Sequence, residues 1–392
     1  MTRKSRRIIF AGYLVRCPLG GYAWQIAHYL LGLRALGHEV WFYEDSGEWD
    51  CRLAYNPVTD ELAPSYDYGI ATTARFFDQA GCGNQWLFVD CERGVEHGPG
   101  AGRAATLLRE ADLLISFGAV NRLPAELRSG RLAAYIDADP IYTQLRAASG
   151  ELFLRNILDA HTHFFTFGEN IPAPGSPLPT GGYVWHATRQ PVAVEHWAQA
   201  GPPGSAYTTI GKWDAQGRDM TYQGETLQWR KRTEWLRCLD LPARTGVEFE
   251  MAMDVDNTPG DVERLTAHGW RIVNPLSVSA DPWRYRDYIR SSRGEFTVAK
   301  DMNVRLRSGW FSDRAACYLA AGRPVVEQDT GFGDVLPLGP GLHAFRTVAD
   351  AADAIGEIEG NYARASAHAA EVAREYFAAD RVLGALLQVV GL

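Results

Sequence analysis

Short apolar runs alternate with stretches of helical period through the first half of the chain. Residues 8–12 (Ile-Ile-Phe-Ala-Gly) read as a buried strand, and 22–36 as a helix carrying Ile26, Leu30 and Leu33 on one face. Further apolar runs at 40–43, 113–117, 133–136 and 164–167 are four or five residues long and bounded by polar or glycine-containing turns. Parallel strands covered on both faces have this composition, and 142–158 has the length and pattern of a crossover helix. The pattern predicts a doubly wound α/β domain.

The texture changes at Asn170-Ile-Pro-Ala-Pro-Gly-Ser-Pro-Leu-Pro-Thr-Gly-Gly182 and again at Gly201-Pro-Pro-Gly204. Such proline and glycine density excludes helix and central strand, so the passage between two domains is expected here. Strands are then expected at 207–210, 249–253, 271–273 and 324–327, a helix at 312–321, and helical segments at 350–378 and 381–390. The result is two α/β halves of similar size.

Composition fits that reading. A chain of 392 residues suits two domains of about 150–200 residues each. With 46% hydrophobic and 22% charged residues, wholesale disorder is excluded. The formal charge of −8 argues against association with nucleic acid or anionic membrane through bulk charge, and no nucleic-acid polymer is expected as a partner. Twelve tryptophans hint at pockets. Cys17, Cys51, Cys82, Cys91, Cys238 and Cys317 form no CxxC pair and no zinc spacing, which reads as scattered reduced thiols and a cytoplasmic setting. The basic residues 1–7 precede only eight apolar ones, too few for a signal peptide and suited to a first strand. No run of about 18 apolar residues predicts a membrane span.

Two glycine-containing segments carry candidate chemistry. In Gly12-Tyr-Leu-Val-Arg-Cys-Pro-Leu-Gly20-Gly21, between the first strand and first helix, the paired glycines let a backbone approach a ligand, and helix-start amides can receive phosphate. A tight turn without ligand is the alternative; the dinucleotide pattern GxGxxG is absent. In residues 308–333, Ser308 or Ser312 can cap a helix whose positive end meets an anion, and Gly322 ends it before Pro324. The following strand stops at Asp329-Thr330-Gly331-Phe332-Gly333, where amides can meet a second polar group.

At these residues the chain resembles the GT-B glycosyltransferases. Gly20-Gly21 with the helix after it and Leu36-Gly-His-Glu-Val40 look like their N-terminal acceptor domain. Gly309-Trp310-x-Ser312 and Leu319-Ala-x-Gly-x-Pro-Val-Val326 look like their donor domain. The resemblance implies two Rossmann-like domains facing across a cleft: 1–195 for the acceptor, 196–375 for the nucleotide-sugar donor, and a helix at 376–392 crossing back to the first domain. It also implies sugar transfer from a nucleoside diphosphate to a hydroxyl acceptor, small molecule or glycan, with no cofactor beyond the donor. A non-catalytic sugar-nucleotide or glycan-binding relative and a nucleotide-sugar epimerase are the alternatives. One departure stands out: Cys317 occupies the place of a ribose-holding Glu, and Asp313, one turn earlier on the same face, is the expected substitute or else a charge at the helix start.

Lys212, Lys300, Arg305, Arg307 and Arg314 are candidates to neutralise a diphosphate, with Lys300 and Lys212 preferred because each follows a strand-like run. Asp137-Ala-Asp139 and Asp254-Val-Asp256 are carboxylate triplets at strand ends; no metal site is expected at them. Asp137 is the first candidate for general base, with Asp139 beside it and a turn cap as the alternative. His28, on the first helix, is the rival; His161, His163, Glu169 and Asn170 follow.

Overall fold

Ile8, Ile9, Phe10 and Ala11 are fully buried because their strand lies inside a sheet, with a parallel neighbour on each side. The computed structural model describes residues 4–47, 54–122, 131–198, 201–215 and 217–392. Among these, the first sheet has eight strands in the spatial order Trp185–Ala187, His163–Thr166, Leu132–Asp137, Leu113–Phe117, Arg7–Ala11, Glu39–Asp45, Trp86–Asp90 and Val95–His97. Every pairing in it is parallel except that of Val95–His97. The second sheet has six parallel strands in the order Trp270–Val273, Glu248–Met253, Ala206–Gly211, Gly294–Thr297, Val325–Gln328 and Leu342–Phe345.

Each sheet reverses its winding beside its first strand. In the first the reversal lies between Arg7–Ala11 and Leu113–Phe117; in the second, between Ala206–Gly211 and Gly294–Thr297. Open α/β sheets bind ligands outside the carboxyl ends of the strands at such a point.

The Gly20–Ala35 helix buries more than the single face its period suggests, since Ala23, Trp24, Ala27, His28 and Tyr29 are buried along with Ile26, Leu30 and Leu33. A helix apolar around most of its girth must be covered on several sides. Here Phe10 of the sheet stacks on Tyr29 at 4.6 Å, and Trp24 Nε1 donates to the Pro282 carbonyl of the Pro282–Ser291 helix at 2.8 Å. The Ala379–Val389 helix covers a third side: a Cβ on Gly32 would lie 2.6 Å from both Ala379 Cβ and Leu383 Cδ1. Backbone bonds from Val192 N–H to Phe377 and from Ala379 N–H to Val192 tie the chain end to the region after the first sheet.

Three expectations change. The Pro/Gly segment at 170–182 joins two strands of the first sheet, and the chain passes between sheets after Trp185–Ala187 and before Ala206–Gly211. Residues 142–158 form two helices, Tyr142–Ala148 and Leu152–Leu158, separated where Gly150 takes φ +80. The 350–378 segment breaks at Asn361, whose side chain caps Tyr362–Val372 after Val348–Gly360 ends. The five described cysteines are free, and Cys51 lies outside the described residues. Among the described residues no helix is long and apolar enough to cross a membrane.

Candidate functional site

The two winding reversals face one another. Beyond Ala206–Gly211 comes exposed Lys212, whose charge opposes the burial that pushes the Cys17 thiol up to about 12. Cys17 belongs to the loop after the first strand of the other sheet. Beyond Gly294–Thr297 comes Lys300, whose Nζ lies 2.6 Å from Asp139 Oδ1, just past the Leu132–Asp137 strand. A cleft lined by both sheets' carboxyl ends therefore holds Lys212 and Lys300 together with Asp139.

The loop after the first strand commits three of its amides to a buried carboxylate. Leu14, Val15 and Arg16 donate their N–H groups to the buried Glu44 carboxylate at 2.7, 2.6 and 3.0 Å, and Arg16 Nε adds a fourth bond at 3.1 Å. Gly20 has a different task as well. A Cβ there would lie 2.5 Å from Tyr285 Cβ, and one on Gly21 would lie 3.7 Å from the Tyr285 ring. Gly20 lets the first helix cross Pro282–Ser291 of the second half at close range, while Gly21 makes only ordinary contact and lines a small hollow with Gln25, Asp313 and Arg314.

The second segment supplies a helix start. Ser312 caps Asp313–Ala320 through its hydroxyl, which accepts from Ala315 N–H, and the amides of Asp313 and Arg314 precede the helix's internal bonding. Asp313 Oδ2 accepts from Gln25 Nε2 of the first helix at 3.1 Å, which sets this helix start at the domain junction. Ser308 Oγ donates to Asn303 Oδ1 at 2.9 Å, and Gly309 N–H donates to the Thr330 carbonyl at 2.8 Å. The Thr330 hydroxyl bonds the Trp310 carbonyl.

Within the Asp329–Gly333 loop, the Asp329 side chain is fully engaged. Asp329 takes Gly331 N–H at 2.8 Å and both Arg307 Nη1 and Arg346 Nε at 2.7 Å. Burial alone would raise its pKa, and the two guanidiniums outweigh that and hold it below the usual range. Gly331 packs against Asn170 of the first half, where a Cβ would lie 2.6 Å from Asn170 Nδ2. Phe332 packs on Phe311, and Gly333 abuts Leu338. Arg305 and Arg307 line a separate hollow of about 510 Å³ with Val304, Asp329 and Arg346.

Behind the helix start lies a buried charge cluster that sequence reading missed apart from Arg314. Arg314 Nε donates to Glu295 Oε1 at 2.5 Å, and its Nη2 donates to Thr297 Oγ1 at 3.0 Å. Glu327 Oε1 accepts from Ser312 N–H at 3.2 Å. Among the described residues, Oε2 of Glu295 and Oε2 of Glu327 have no hydrogen-bond partner. Burial, with Glu295 nearby, drives the Glu327 carboxyl well above its ordinary range. Lys231 completes the cluster: burial, with Arg314 adding, pushes its pKa down to about 7, and Nζ stands 5.3 Å over the Trp310 ring. The available signal was a Glu within each of two short parallel strands, since an acid in a central strand needs a cationic neighbour.

The candidate bases separate clearly. Asp137, expected to meet the acceptor, is 1% exposed and holds four donors: Asp139 N–H at 3.0 Å, Thr143 Oγ1 at 2.7 Å, Gln144 Nε2 at 2.8 Å and Thr166 Oγ1 at 2.8 Å. Burial raises it to about 6, and with its lone pairs occupied it organises the strand end. His28 is fully buried; Nδ1 accepts from Ala193 N–H at 3.0 Å, Nε2 lies 3.7 Å from Cys317 Sγ, and burial lowers its pKa to about 3. Cys317 is thus turned toward His28. Asp139 has a side chain 47% exposed and meets the cleft. Glu169 is tied to Arg189 at 2.6 Å, and His161 Nε2 to Ser116 Oγ at 2.9 Å. Asp254 accepts from Trp213 N–H at 3.1 Å. Among the described residues no three His, Cys, Asp or Glu side chains group as metal ligands.

No protein-family model matches the chain, and no curated protein matches it in sequence. Solved structures do match in shape. An alpha-glucosyltransferase in complex with UDP superimposes with a TM-score of 0.58 at 10% identity, over 99% of this chain and 100% of that one. The chain has the GT-B fold. Anabaena Alr3699/HepE in complex with UDP and glucose shares this fold with a TM-score of 0.56 at 11% identity, over 98% and 99% of the two chains. An alpha-glucosyltransferase in complex with UDP and a 13-mer DNA containing a central A:G mismatch does so with 0.56 at 11%, over 99% and 100%. That complex corrects one expectation, that no nucleic-acid polymer is a partner: a protein of this fold is found in complex with DNA.

Proposed function

We propose that this GT-B protein transfers a sugar from a nucleoside diphosphate to a hydroxyl acceptor without a bound metal. One observation carries the reading: Lys212, Lys231, Lys300 and the Ser312-capped helix start converge on the cleft where the two winding reversals face each other. Cations and oriented amides there oppose the charge that grows on a departing diphosphate, the part a divalent ion plays elsewhere. As the bond from the sugar's anomeric carbon to the phosphate oxygen breaks, the acceptor oxygen bonds that carbon and gives its proton to a carboxylate. Asp139 is assigned that base, because it is the carboxylate of the Asp137–Asp139 pair with an open face. Asp313 is assigned the ribose, from its place at the junction in the first helical turn.

The acceptor is a hydroxyl of a small molecule, a glycan or a nucleic acid; the DNA complex of an alpha-glucosyltransferase brings the last into the set. UDP is the first nucleotide to test, being the one in the similar structures. Incubation with labelled UDP-, GDP- and ADP-sugars tests the proposal. Donor hydrolysis or transfer without added metal supports it; binding with no turnover across acceptors of all three kinds points to a non-catalytic binding protein, and an isomerised sugar to an epimerase.

A further inference from the structure

The ammonium of Lys300 is held on two sides by groups from different parts of the molecule. Its Nζ lies 2.6 Å from Asp139 Oδ1, contributed by the first half, and 3.1 Å from the centre of the Trp229 ring. Trp229 follows a hairpin of the second half, Met220–Tyr222 paired with Glu225–Leu227, that reaches over to the first. Its ring lies 4.6 Å from that of Tyr142, while Arg218 stands 5.0 Å over it. Trp229 N–H donates to Asp219 at 2.9 Å and Gln228 N–H to Asp301 at 2.9 Å, so the platform is fixed. Lys300 has one ordinary way to change partner, which is to leave Asp139 while keeping the aromatic face. The Lys300 side chain is 17% exposed and the Asp139 side chain 47%, so the carboxylate has the open side.

From this arrangement we infer that Asp139 and the donor diphosphate compete for Lys300, so that the carboxylate is released for the acceptor only once the donor has bound. The inference rests on the function proposed above and adds an order to it: donor first, acceptor second. A diphosphate carries more charge than one carboxylate and several acceptor oxygens, so it draws a shared ammonium away from a half-exposed partner. While Lys300 holds Asp139 Oδ1, that side of the carboxylate is occupied; parted from the ammonium, both oxygens are open to the acceptor hydroxyl.

The competition has a thermodynamic signature that a merely structural ion pair lacks. In the parent, UDP must displace Asp139; in Asp139→Asn nothing charged has to leave. Calorimetric titration of the whole protein with UDP should therefore show tighter binding by Asp139→Asn, by about three- to tenfold. The gain should vanish in the background of Lys300→Met, where UDP binds more weakly whether residue 139 is Asp or Asn. Thermal melts of all four proteins establish that each is folded, and Lys300→Gln replaces Lys300→Met if the latter is not. Unchanged or weaker UDP binding by Asp139→Asn, or an equal gain in both backgrounds, would overturn the competition while leaving the donor site standing. Failure of the folded parent to bind UDP, GDP or ADP would instead overturn the donor reading, and the competition with it.

Discussion

Lys231 holds its ammonium 5.3 Å above the Trp310 ring, beside the capped start of the Asp313–Ala320 helix. Burial, with Arg314 and Lys300 adding to it and Glu327 and Glu295 opposing, brings its pKa down to about 7. The charged form is then marginal in the empty protein and favoured when an anion arrives. Protonation, which the diphosphate needs, is half complete near pH 7, close to full about one unit below and mostly lost about one unit above.

UDP affinity should consequently fall as pH rises through 7, by about tenfold between pH 7 and 8.5, a range above the phosphate's own second ionisation near 6. Lys231→Arg keeps its charge throughout, so its titration should be flat over the same range. Calorimetry at several pH values checks both. A parent profile identical to that of the Arg variant would show that Lys231 does not meet the nucleotide.

The carboxylates of the Asp137–Asp139 pair should separate by experiment. Asp139→Asn should cut turnover by about 10²–10⁴-fold with the fold intact. Asp137→Asn turns an amide toward hydroxyl and amide donors in a sealed site, and should cost about 1–3 kcal/mol of stability. Urea unfolding of both variants beside turnover tells the roles apart: the stability loss belongs to Asp137, the pure rate loss to Asp139.

The sequence made the alternating architecture and the Ser312 cap legible because both depend on local pattern: short apolar runs, and a Ser ahead of Asp313. It also pointed to Lys300, since a cation after a strand in such a sheet falls at the ligand edge. Choosing between Asp137 and Asp139 was beyond it. The choice turns on Thr143, Gln144 and Thr166, of which Thr166 comes from a neighbouring strand. Gly20 was ambiguous for a related reason, because a glycine needed for helix crossing and one needed for phosphate read alike until Tyr285 is placed. Lys231 was hidden in the basic run Arg230-Lys-Arg232, where only burial and Trp310 single it out.

Gly20→Ala tests the crossing directly. Its new methyl meets Tyr285 Cβ at 2.5 Å, a contact that backbone movement must relieve, and stability should drop by about 1–3 kcal/mol in urea unfolding. Gly21→Ala, with its nearest contact at 3.7 Å, should cost clearly less. Equal effects would mean the two helices do not approach as described.

Removing residues 379–392 strips the helix that buries Leu383, Leu386 and Leu387 against the first helix. The shortened protein should melt at lower temperature and scatter light as it associates through the uncovered surface. A truncated protein as soluble and as stable as the parent would contradict that packing.

The most direct measurement is a crystal structure of the protein with UDP. The account predicts the diphosphate within hydrogen-bond distance of the Lys231 and Lys300 ammonium groups and of the Asp313 and Arg314 amides, with Lys300 parted from Asp139. A diphosphate bound in the hollow lined by Arg307 and Arg346, or anywhere else outside the facing strand ends, would contradict it.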